Sequence, residues 1–451
     1  MTQIWFETAL LPDGWADHVR VTIEDERIAS VEPNAAVDAA QRFGAAVPGL
    51  GNVHSHAFQR AMAGLGEVRG PAGDSFWTWR EAMYRFAGAI GPDGMEAIAA
   101  MAFVEMLESG FTRVGEFHYL HHQSDGSPYA DLAEMGARLA AAAETSGIGL
   151  TLLPVLYQHG GFGGAAAGAG QRRFVNPFDR YAALVEASLR AISSLPDGTV
   201  GIAPHSLRAV GPDALAEAVA LAGERPIHIH IAEQQREVDD CLAWSGARPV
   251  AWLLDHAPVD DRWCLVHATH MTADETARLA ASGAVAGLCP MTEASLGDGI
   301  FNGRDYVAAS GRFAIGSDSN VLIDAGQELA TLEYSQRLAH RRRNVMATGA
   351  GSTGRSLFDA ALGGGAQALG VATAGIAAGA PADFVALDLD HPSCAGRRGD
   401  ALIDAWVFAG QRALVEAVWR RGRQVVRGGR HVARDTVVAG YRTTLEALLD
   451  G

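Results

Sequence analysis

Short apolar segments recur eight times between about residues 46 and 320, and most are followed by a stretch with apolar residues at helical spacing. The eight segments are AVPGLGNVHSH (46–56), FTRVGEFHYL (111–120), GIGLTLLPVL (147–156), GTVGIAPHSL (198–207), RPIHIHIAE (225–233), RWCLVHATH (262–270), AVAGLCP (284–290) and RFAIGSDS (312–319). Continuous apolar strands that alternate with helices are typical of a parallel sheet covered on both faces. Eight such units predict an α/β fold, a closed (β/α)8 barrel of the TIM type, with an open doubly wound sheet as the alternative.

The two ends of the chain have a different pattern. Residues 1–33 and 383–431 contain short alternating runs joined by turn residues, which predict one small β-domain composed of both termini, and residues 437–450 predict a final helix. We therefore expect residues 1–47 to form the N-terminal part of the small β-domain and residues 48–373 to form the barrel. Residues 374–451 would supply the C-terminal part of the small domain and the terminal helix.

The charge and composition exclude several classes of function. The net charge of -16 opposes binding to nucleic acid or to an anionic membrane, because both are negatively charged. No long apolar span or basic leader is evident, so we expect a cytoplasmic protein with a small-molecule substrate. The sequence contains no lysine. This excludes a P-loop lysine, a lysine that forms a Schiff base and a carbamylated lysine bridging two metals.

Histidines and carboxylates follow the ends of several predicted strands. His54 and His56 lie two residues apart and so point to the same side of a strand. His230, His267 and Asp318 follow or end later strands, and the carboxyl ends of barrel strands open on one face. Neutral imidazoles with a carboxylate suit one divalent ion, most simply Zn²⁺, which lowers the pKa of a bound water to about 7.

This pattern of residues resembles the amidohydrolase superfamily. The resemblance rests on HSH after the first strand, HIAE at the fifth, His267 at the sixth and GSDS at the eighth. The resemblance covers essentially the whole chain and is most specific in HSHAFQRAM, DSFWTWREAMY, APHSLRAV and HIHIAEQQREV. The most similar members hydrolyse the formimino group of N-formimino-L-glutamate to N-formyl-L-glutamate and ammonia, in histidine degradation. The resemblance implies that activity here, and it suggests a homodimer.

The resemblance also implies roles for particular residues. One zinc ion would be held by His54, His56, His230 and Asp318. His267 and Asp318 would orient or deprotonate the water, and Glu233 would carry protons to the leaving nitrogen. A carboxyl group that both takes and gives a proton is what the departure of ammonia requires.

A second set of residues is expected to bind the substrate. Arg80, Tyr119 and Arg208 can hold the two carboxylates of a glutamyl group, because a guanidinium meets a carboxylate with two parallel hydrogen bonds. Gln59 can hydrogen-bond the formimino nitrogen, and His205 lies close to Arg208 in the sequence. The resemblance places all five in the substrate pocket, which favours a small anionic substrate.

Other readings of the same sequence stay open. The runner-up is a related deaminase that acts on a guanine-like or cytosine-like base, although Trp77 and Trp79 are expected to be wall or packing residues. A non-catalytic binding or scaffold protein would have no need for the metal ligands together with Glu233 and His267. The glycine-rich loop at residues 160–170 is interpreted as a mobile lid, against a plain flexible insertion.

Overall fold

A computed structural model describes residues 1–37, 41–69, 74–373 and 375–450. In chain order, its strands are β1 (Thr2–Leu11), β2 (Gly14–Glu24), β3 (Arg27–Glu32), β4 (Gln41–Pro48), β5 (Leu50–Ser55), β6 (Phe111–His118), β7 (Gly149–Leu156), β8 (Thr199–Val200), β9 (Ala203–Pro204), β10 (Ile227–Ile231), β11 (Trp263–His267), β12 (Val285–Leu288), β13 (Arg312–Ile315), β14 (Phe384–Leu387), β15 (Val415–Arg420), β16 (Arg423–Arg427) and β17 (Arg430–His431).

The α-helices fall mostly between the central strands. They are α1 (Phe76–Ala89), α2 (Pro92–Glu108), α3 (Glu134–Ser146), α4 (Phe178–Ala191), α5 (Pro212–Ala222), α6 (Gln235–Ser245), α7 (Pro249–His256), α8 (Ala273–Ser282), α9 (Pro290–Leu296), α10 (Gly303–Ala308), α11 (Ala325–His340), α12 (Thr353–Ala368), α13 (Asp400–Ala405) and α14 (Arg434–Asp450). Within the described segments, no helix has the length and hydropathy that crossing a membrane requires.

One sheet takes its strands from both ends of the chain, in the order β17-β16-β15-β14-β4-β1-β2-β3. Its two halves meet where β14 pairs antiparallel with β4, so that Ala386 lies opposite Ala46. The buried rings of Phe6, Phe384 and Trp419 pack together on this sheet, with the Phe384 and Trp419 centroids 5.0 Å apart. The alternating runs at the termini therefore pair with each other.

The central strands are parallel and form two sheets. One contains β5, β6, β7 and β8, with β9 beside β7, and the other runs β10-β11-β12-β13. Single parallel bridges connect the two sheets, from Ser55 to Asp318 and from Ile202 to Ile227. Every residue of β6 and β7 is buried, as expected for strands covered on both faces.

Two of the eight apolar segments are divided in the structure. The first is divided at Gly49 between β4 and β5, where a Cβ atom would collide with Cγ2 of Thr112. The segment at 198–207 is divided into β8 and β9 around Gly201, whose missing Cβ leaves room for Leu153. The apolar pattern is continuous across both breaks, so it did not show them.

The stretches at 130–147 and 212–224, which carry apolar residues at helical spacing, contain α3 and α5. Each is followed by a glycine with positive φ, Gly147 at +77° and Gly223 at +57°, as is common at helix C-termini. The terminal helix is also confirmed as α14, and its Tyr441 hydroxyl donates to the carbonyl of Arg60 at 3.2 Å.

Candidate active site

Three histidines and one aspartate converge at the end of the central strands. His54 is the second-last residue of β5, and His56 comes directly after that strand. His230 lies in β10, and Asp318 follows β13. One ligand atom from each lies within 4.8 Å of the others, and all four side chains are buried. Oδ1 of Asp318 is 3.4 Å from Nε2 of His54 and 3.3 Å from Nε2 of His56. The described residues thus contain a buried metal-binding group.

Backbone carbonyls orient two of these imidazoles. Nδ1 of His56 lies 2.8 Å from the carbonyl oxygen of Phe117, and Nδ1 of His230 lies 3.1 Å from that of His205. A neutral ring that donates through Nδ1 presents the lone pair of Nε2 to the centre of the group. The donor set therefore fits a divalent cation.

The protonation states agree with metal binding. Burial lowers the pKa of His54 to about 3 and also lowers the pKa values of His56 and His230, so the three rings are neutral at pH 7. Burial alone would raise the pKa of Asp318, but its hydrogen bond to His54 and the neighbouring imidazoles bring it below its usual range. Metal ligation requires neutral imidazole and ionised carboxylate.

Left-handed backbone occurs at two of the predicted functional residues. His267 has φ +68° and Asp318 has φ +43°, conformations that non-glycine residues rarely adopt. Nδ2 of Asn320 lies 3.1 Å from each of three oxygens, namely Ser55 Oγ and the carbonyls of His56 and Asp318. Asn320 thereby fixes the Asp318 turn to the end of β5.

A buried acid and a buried histidine lie beside the metal-binding group. Oε1 of Glu233 is 3.8 Å from Nε2 of His267, which is itself 3.9 Å from Oδ2 of Asp318. Burial raises the pKa of Glu233 to about 7, against the lowering effect of His267 and Arg208. Burial alone would lower the pKa of His267, but Glu233 and a hydrogen bond to Glu293 raise it.

The five residues predicted to bind substrate line one cavity. Gln59, Arg80, Tyr119, His205 and Arg208 share it with Glu233, His267 and Asp318. Nε2 of Gln59 donates to the Tyr119 hydroxyl at 2.9 Å, while Oε1 of Gln59 is buried and has no hydrogen-bond partner among the residues that the structure describes. The structure therefore brings the predicted side chains together at the metal-binding group.

The two arginines of the cavity differ in their partners. Arg208 faces Glu237, with its Nε 3.7 Å from Oε2, and lies 4.0 Å from Glu233. Arg80 forms no ion pair within the described part of the chain, and there its buried Nε, like that of Arg208, lacks a hydrogen-bond partner. Its guanidinium carbon instead lies 4.4 Å from the ring centroid of Trp77.

Other residues of the site were not identified from the sequence. Glu293 places Oε1 3.3 Å from Nδ1 of His267 and accepts the backbone N–H of Cys289 at 2.8 Å. Glu237 accepts the backbone N–H groups of Ala232 and Glu233, at 3.2 and 3.3 Å. The sequence offered one signal for Glu237. This residue lies in the first turn of α6, four residues after Glu233.

His228 lies apart from this group. Its Nε2 is 2.7 Å from the carbonyl oxygen of Ala368, and burial lowers its pKa to about 4. It is a packed residue, and it precedes His230 by two positions in β10, farther from the carboxyl end of the strand.

Comparisons with known proteins agree with this geometry. The amidohydrolase family matches residues 45–425, and the N-terminal domain of formimidoylglutamate deiminase HutF matches residues 1–45. The formimidoylglutamate deiminase of Pseudomonas aeruginosa is 52% identical over 454 aligned residues, which cover 100% of both chains. The crystal structure of an amidohydrolase from Brucella melitensis is 54% identical, with a TM-score of 0.96 and 100% of both chains covered.

A more distant structure shares the fold. The adenosine deaminase from Xanthomonas campestris, crystallised with bound zinc, is 22% identical, with a TM-score of 0.83 over 100% of this chain and 99% of that one. With the family match over most of the chain and the full-length relative above, the chain belongs to the amidohydrolase family, and within it to the formimidoylglutamate deiminases.

Proposed function

We propose that the chain hydrolyses N-formimino-L-glutamate to N-formyl-L-glutamate and ammonia. The name of the Pseudomonas aeruginosa relative supports this activity. The observation that carries the proposal is a pair of arginines in the cavity: Arg80 and Arg208 line it beside the metal-binding group, and Arg80 has no carboxylate partner among the described residues. An anionic substrate would give Arg80 the carboxylate partner that it lacks and would add a carboxylate to the acids already near Arg208, because each guanidinium can bind a carboxylate through paired hydrogen bonds.

We infer that His54, His56, His230 and Asp318 hold one divalent ion and that this ion is Zn²⁺. Three neutral imidazoles with one carboxylate are typical zinc ligands, and the absence of lysine removes the carbamate that would bridge two metals. When bound, such an ion lowers the pKa of a water to about 7 and so supplies a nucleophile at neutral pH.

The proton transfers are assigned to Glu233. The reaction adds water to the formimino carbon and breaks the bond to the terminal nitrogen, so both protons of the water must reach that nitrogen, the first as the water attacks and the second as the nitrogen leaves. Glu233 is buried in the cavity, and its pKa of about 7 suits a carboxyl group that accepts a proton and returns it. Its carboxylate therefore takes each proton in turn from the attacking oxygen and delivers it to the nitrogen that departs as ammonia.

We assign to His267 and Asp318 the orientation of the attacking water. Nε2 of His267 and Oδ2 of Asp318 lie 3.9 Å apart and can contact one small molecule between them. Because Glu293 engages Nδ1 of His267, Nε2 faces Glu233 and Asp318. These two residues would orient the water for attack.

The remaining cavity residues would bind the substrate. The unpartnered Oε1 of Gln59 is a hydrogen-bond acceptor for an N–H group of the formimino end. Arg80, Arg208 and Tyr119 would hold the carboxylates, and burial keeps the Tyr119 phenol protonated by raising its pKa. Burial lowers the pKa of His205, so that its ring is neutral beside Arg208.

We also propose that the two parallel sheets close into a (β/α)8 barrel. The bridges Ser55 to Asp318 and Ile202 to Ile227 support closure, because they join the sheets at both of their edges. On this assignment residues 48–373 form the barrel, and residues 1–47 and 374–451 form the small β-domain with its terminal helix. The metal-binding group then lies at the carboxyl ends of the barrel strands.

A comparison of ammonia release tests the proposed substrate. The purified enzyme should release ammonia from N-formimino-L-glutamate, and not from guanine or cytosine. Arg208→Met should lower kcat/KM for formiminoglutamate by about 100-fold, because it removes a charged group from the buried cavity. Arg190→Met, at an exposed arginine of α4, is the matched control and should leave kcat/KM unchanged.

Preferential release of ammonia from guanine or cytosine would overturn the proposal in favour of a base deaminase. No release from any of the three substrates by zinc-loaded enzyme would overturn it in favour of a non-catalytic protein.

A further inference from the structure

The indole of Trp77 contacts two guanidinium groups from different helices. The guanidinium carbon of Arg80 lies 4.4 Å from its ring centroid, and that of Arg236 lies 4.6 Å from the same centroid. Both distances are within the range of cation–π attraction. The ring therefore connects α1, which follows β5 in the chain, to the start of α6, three residues after Glu233.

The spacing along α1 explains why Arg80 lies among aromatic side chains. Trp77, Arg80 and Tyr84 are separated by three and four residues, so they lie on one face of the helix. The guanidinium carbon of Arg80 is also 5.5 Å from the Tyr84 ring centroid. The Arg80 guanidinium is thus held between two aromatic contacts of its own helix.

Aromatic contacts hold an arginine in a different way from a carboxylate. A carboxylate would occupy the N–H groups of Arg80 and neutralise its charge, whereas a ring contacts the face of the guanidinium and leaves its N–H edge free. Arg80 has no ion pair in the described segments, and its Nε is buried without a partner at the wall of the cavity. Its binding capacity is consequently kept for a ligand.

Arg236 contributes the second contact from outside the cavity. Its side chain is 64% exposed and lies 3.6 Å from Asp240, so its charge is largely solvated. The contact with Trp77 limits the positions that the indole can take. Arg236 therefore supports the ring, and the ring supports Arg80.

We infer that Trp77 is a positioning residue that sets the direction of Arg80 toward a substrate carboxylate, with Arg236 as its outer support. This inference rests on the proposed function, since it needs an anionic group at Arg80. Trp77 acts through Arg80 and touches no reacting atom.

Steady-state kinetics of the zinc-loaded enzyme with N-formimino-L-glutamate test this role. Trp77→Leu should raise KM roughly tenfold, the size of one well-packed cation–π contact, and change kcat less than about twofold. Trp77→Phe keeps an aromatic face and should restore KM to within about threefold of the starting enzyme. Arg236→Gln should raise KM by about twofold to fivefold.

Arg85→Gln is the matched control, because it removes one positive charge from an exposed position of the same helix. It should leave KM unchanged. Zinc content and the thermal midpoint should be the same in all variants, so that loss of folding is recognised.

An unchanged KM in Trp77→Leu would overturn the inference. A fall in kcat at constant KM, or a failure of Trp77→Phe to restore KM in a folded protein, would overturn it as well. If the unsubstituted enzyme does not release ammonia from formiminoglutamate, the proposed function fails first, and that result is distinct from these.

Discussion

Nε2 of His54 lies 3.0 Å from Nε2 of His230, although 176 positions separate the two residues in the chain. Both rings are neutral, and both are buried. Nitrogen lone pairs that face each other away from water are unfavourable unless a cation or a proton lies between them. The arrangement is therefore typical of a site that is completed by a metal.

Metal removal should inactivate the enzyme and destabilise it. Dialysis against a chelator should abolish ammonia release, and added Zn²⁺ should restore it. The thermal midpoint should fall on chelation, because a ligand that binds only the folded state stabilises it. His230→Ala should reproduce both effects and lower the zinc content measured by elemental analysis. Full activity in metal-free protein would contradict the assignment.

Glu233→Gln should lower kcat by about 100-fold to 10,000-fold, because the amide cannot carry the proton to the leaving nitrogen. Zinc content should be unchanged, since Glu233 is not among the four grouped ligands. Glu217→Gln, at an exposed position of α5, is the control and should retain full activity. A kcat within a few fold of the unsubstituted enzyme would exclude Glu233 as the proton carrier.

The buried carboxyl group of Glu116 should make stability depend on pH. Burial raises its pKa from 4.5 to about 8, although it accepts the backbone N–H of Ala57 at 2.7 Å. The unfolded chain loses this proton near pH 4.5 and the folded chain keeps it until about pH 8, so this group's contribution to the free energy of unfolding falls as pH rises between these values.

Glu116→Gln removes this titration and should reduce the decline between about pH 5 and 8 by about 3 to 4 kcal/mol. Urea unfolding of the zinc-loaded proteins at several pH values measures the difference. Glu186→Gln, at an exposed glutamate of α4, should behave like the unsubstituted protein. Parallel curves for Glu116→Gln and the unsubstituted protein would show that Glu116 is ionised in the fold.

The lid interpretation of the loop at residues 160–170 stays a prediction. The Phe162 ring stacks on Trp244 with centroids 5.5 Å apart, and a Cβ on Gly170 would lie 2.6 Å from the Tyr84 ring. Deletion of residues 165–167, which are mostly exposed, should change kcat severalfold and leave zinc content intact. Unaltered kinetics would favour a plain insertion, and loss of folding would identify a structural segment.

The sequence was sufficient to predict where the main site residues lie. His54, His230 and Asp318 come at or after the ends of buried strands, and parallel strands bring such ends to one edge whatever the helices between them do. The pattern of apolar segments is strong because both faces of these strands are covered. The roles assigned to these residues await the experiments above.

The supporting contacts could not be predicted in the same way. Trp77 was expected to be a wall or packing residue, yet its contact with Arg236 depends on how α1 lies against the start of α6. The contact between Glu293 and His267 likewise depends on the turn after β12. Such contacts between elements leave no periodic signal in the sequence, and neither do the strand breaks at Gly49 and Gly201.

The pairing of β4 with β14 has a consequence for synthesis of the chain on the ribosome. Ala46 can meet Ala386 only after all the intervening residues have been translated, so until then the β4 edge of the sheet formed by the first four strands stays unpaired. Open edges of this kind invite pairing with other nascent chains. The delay ends when β14 has been synthesised and pairs with β4.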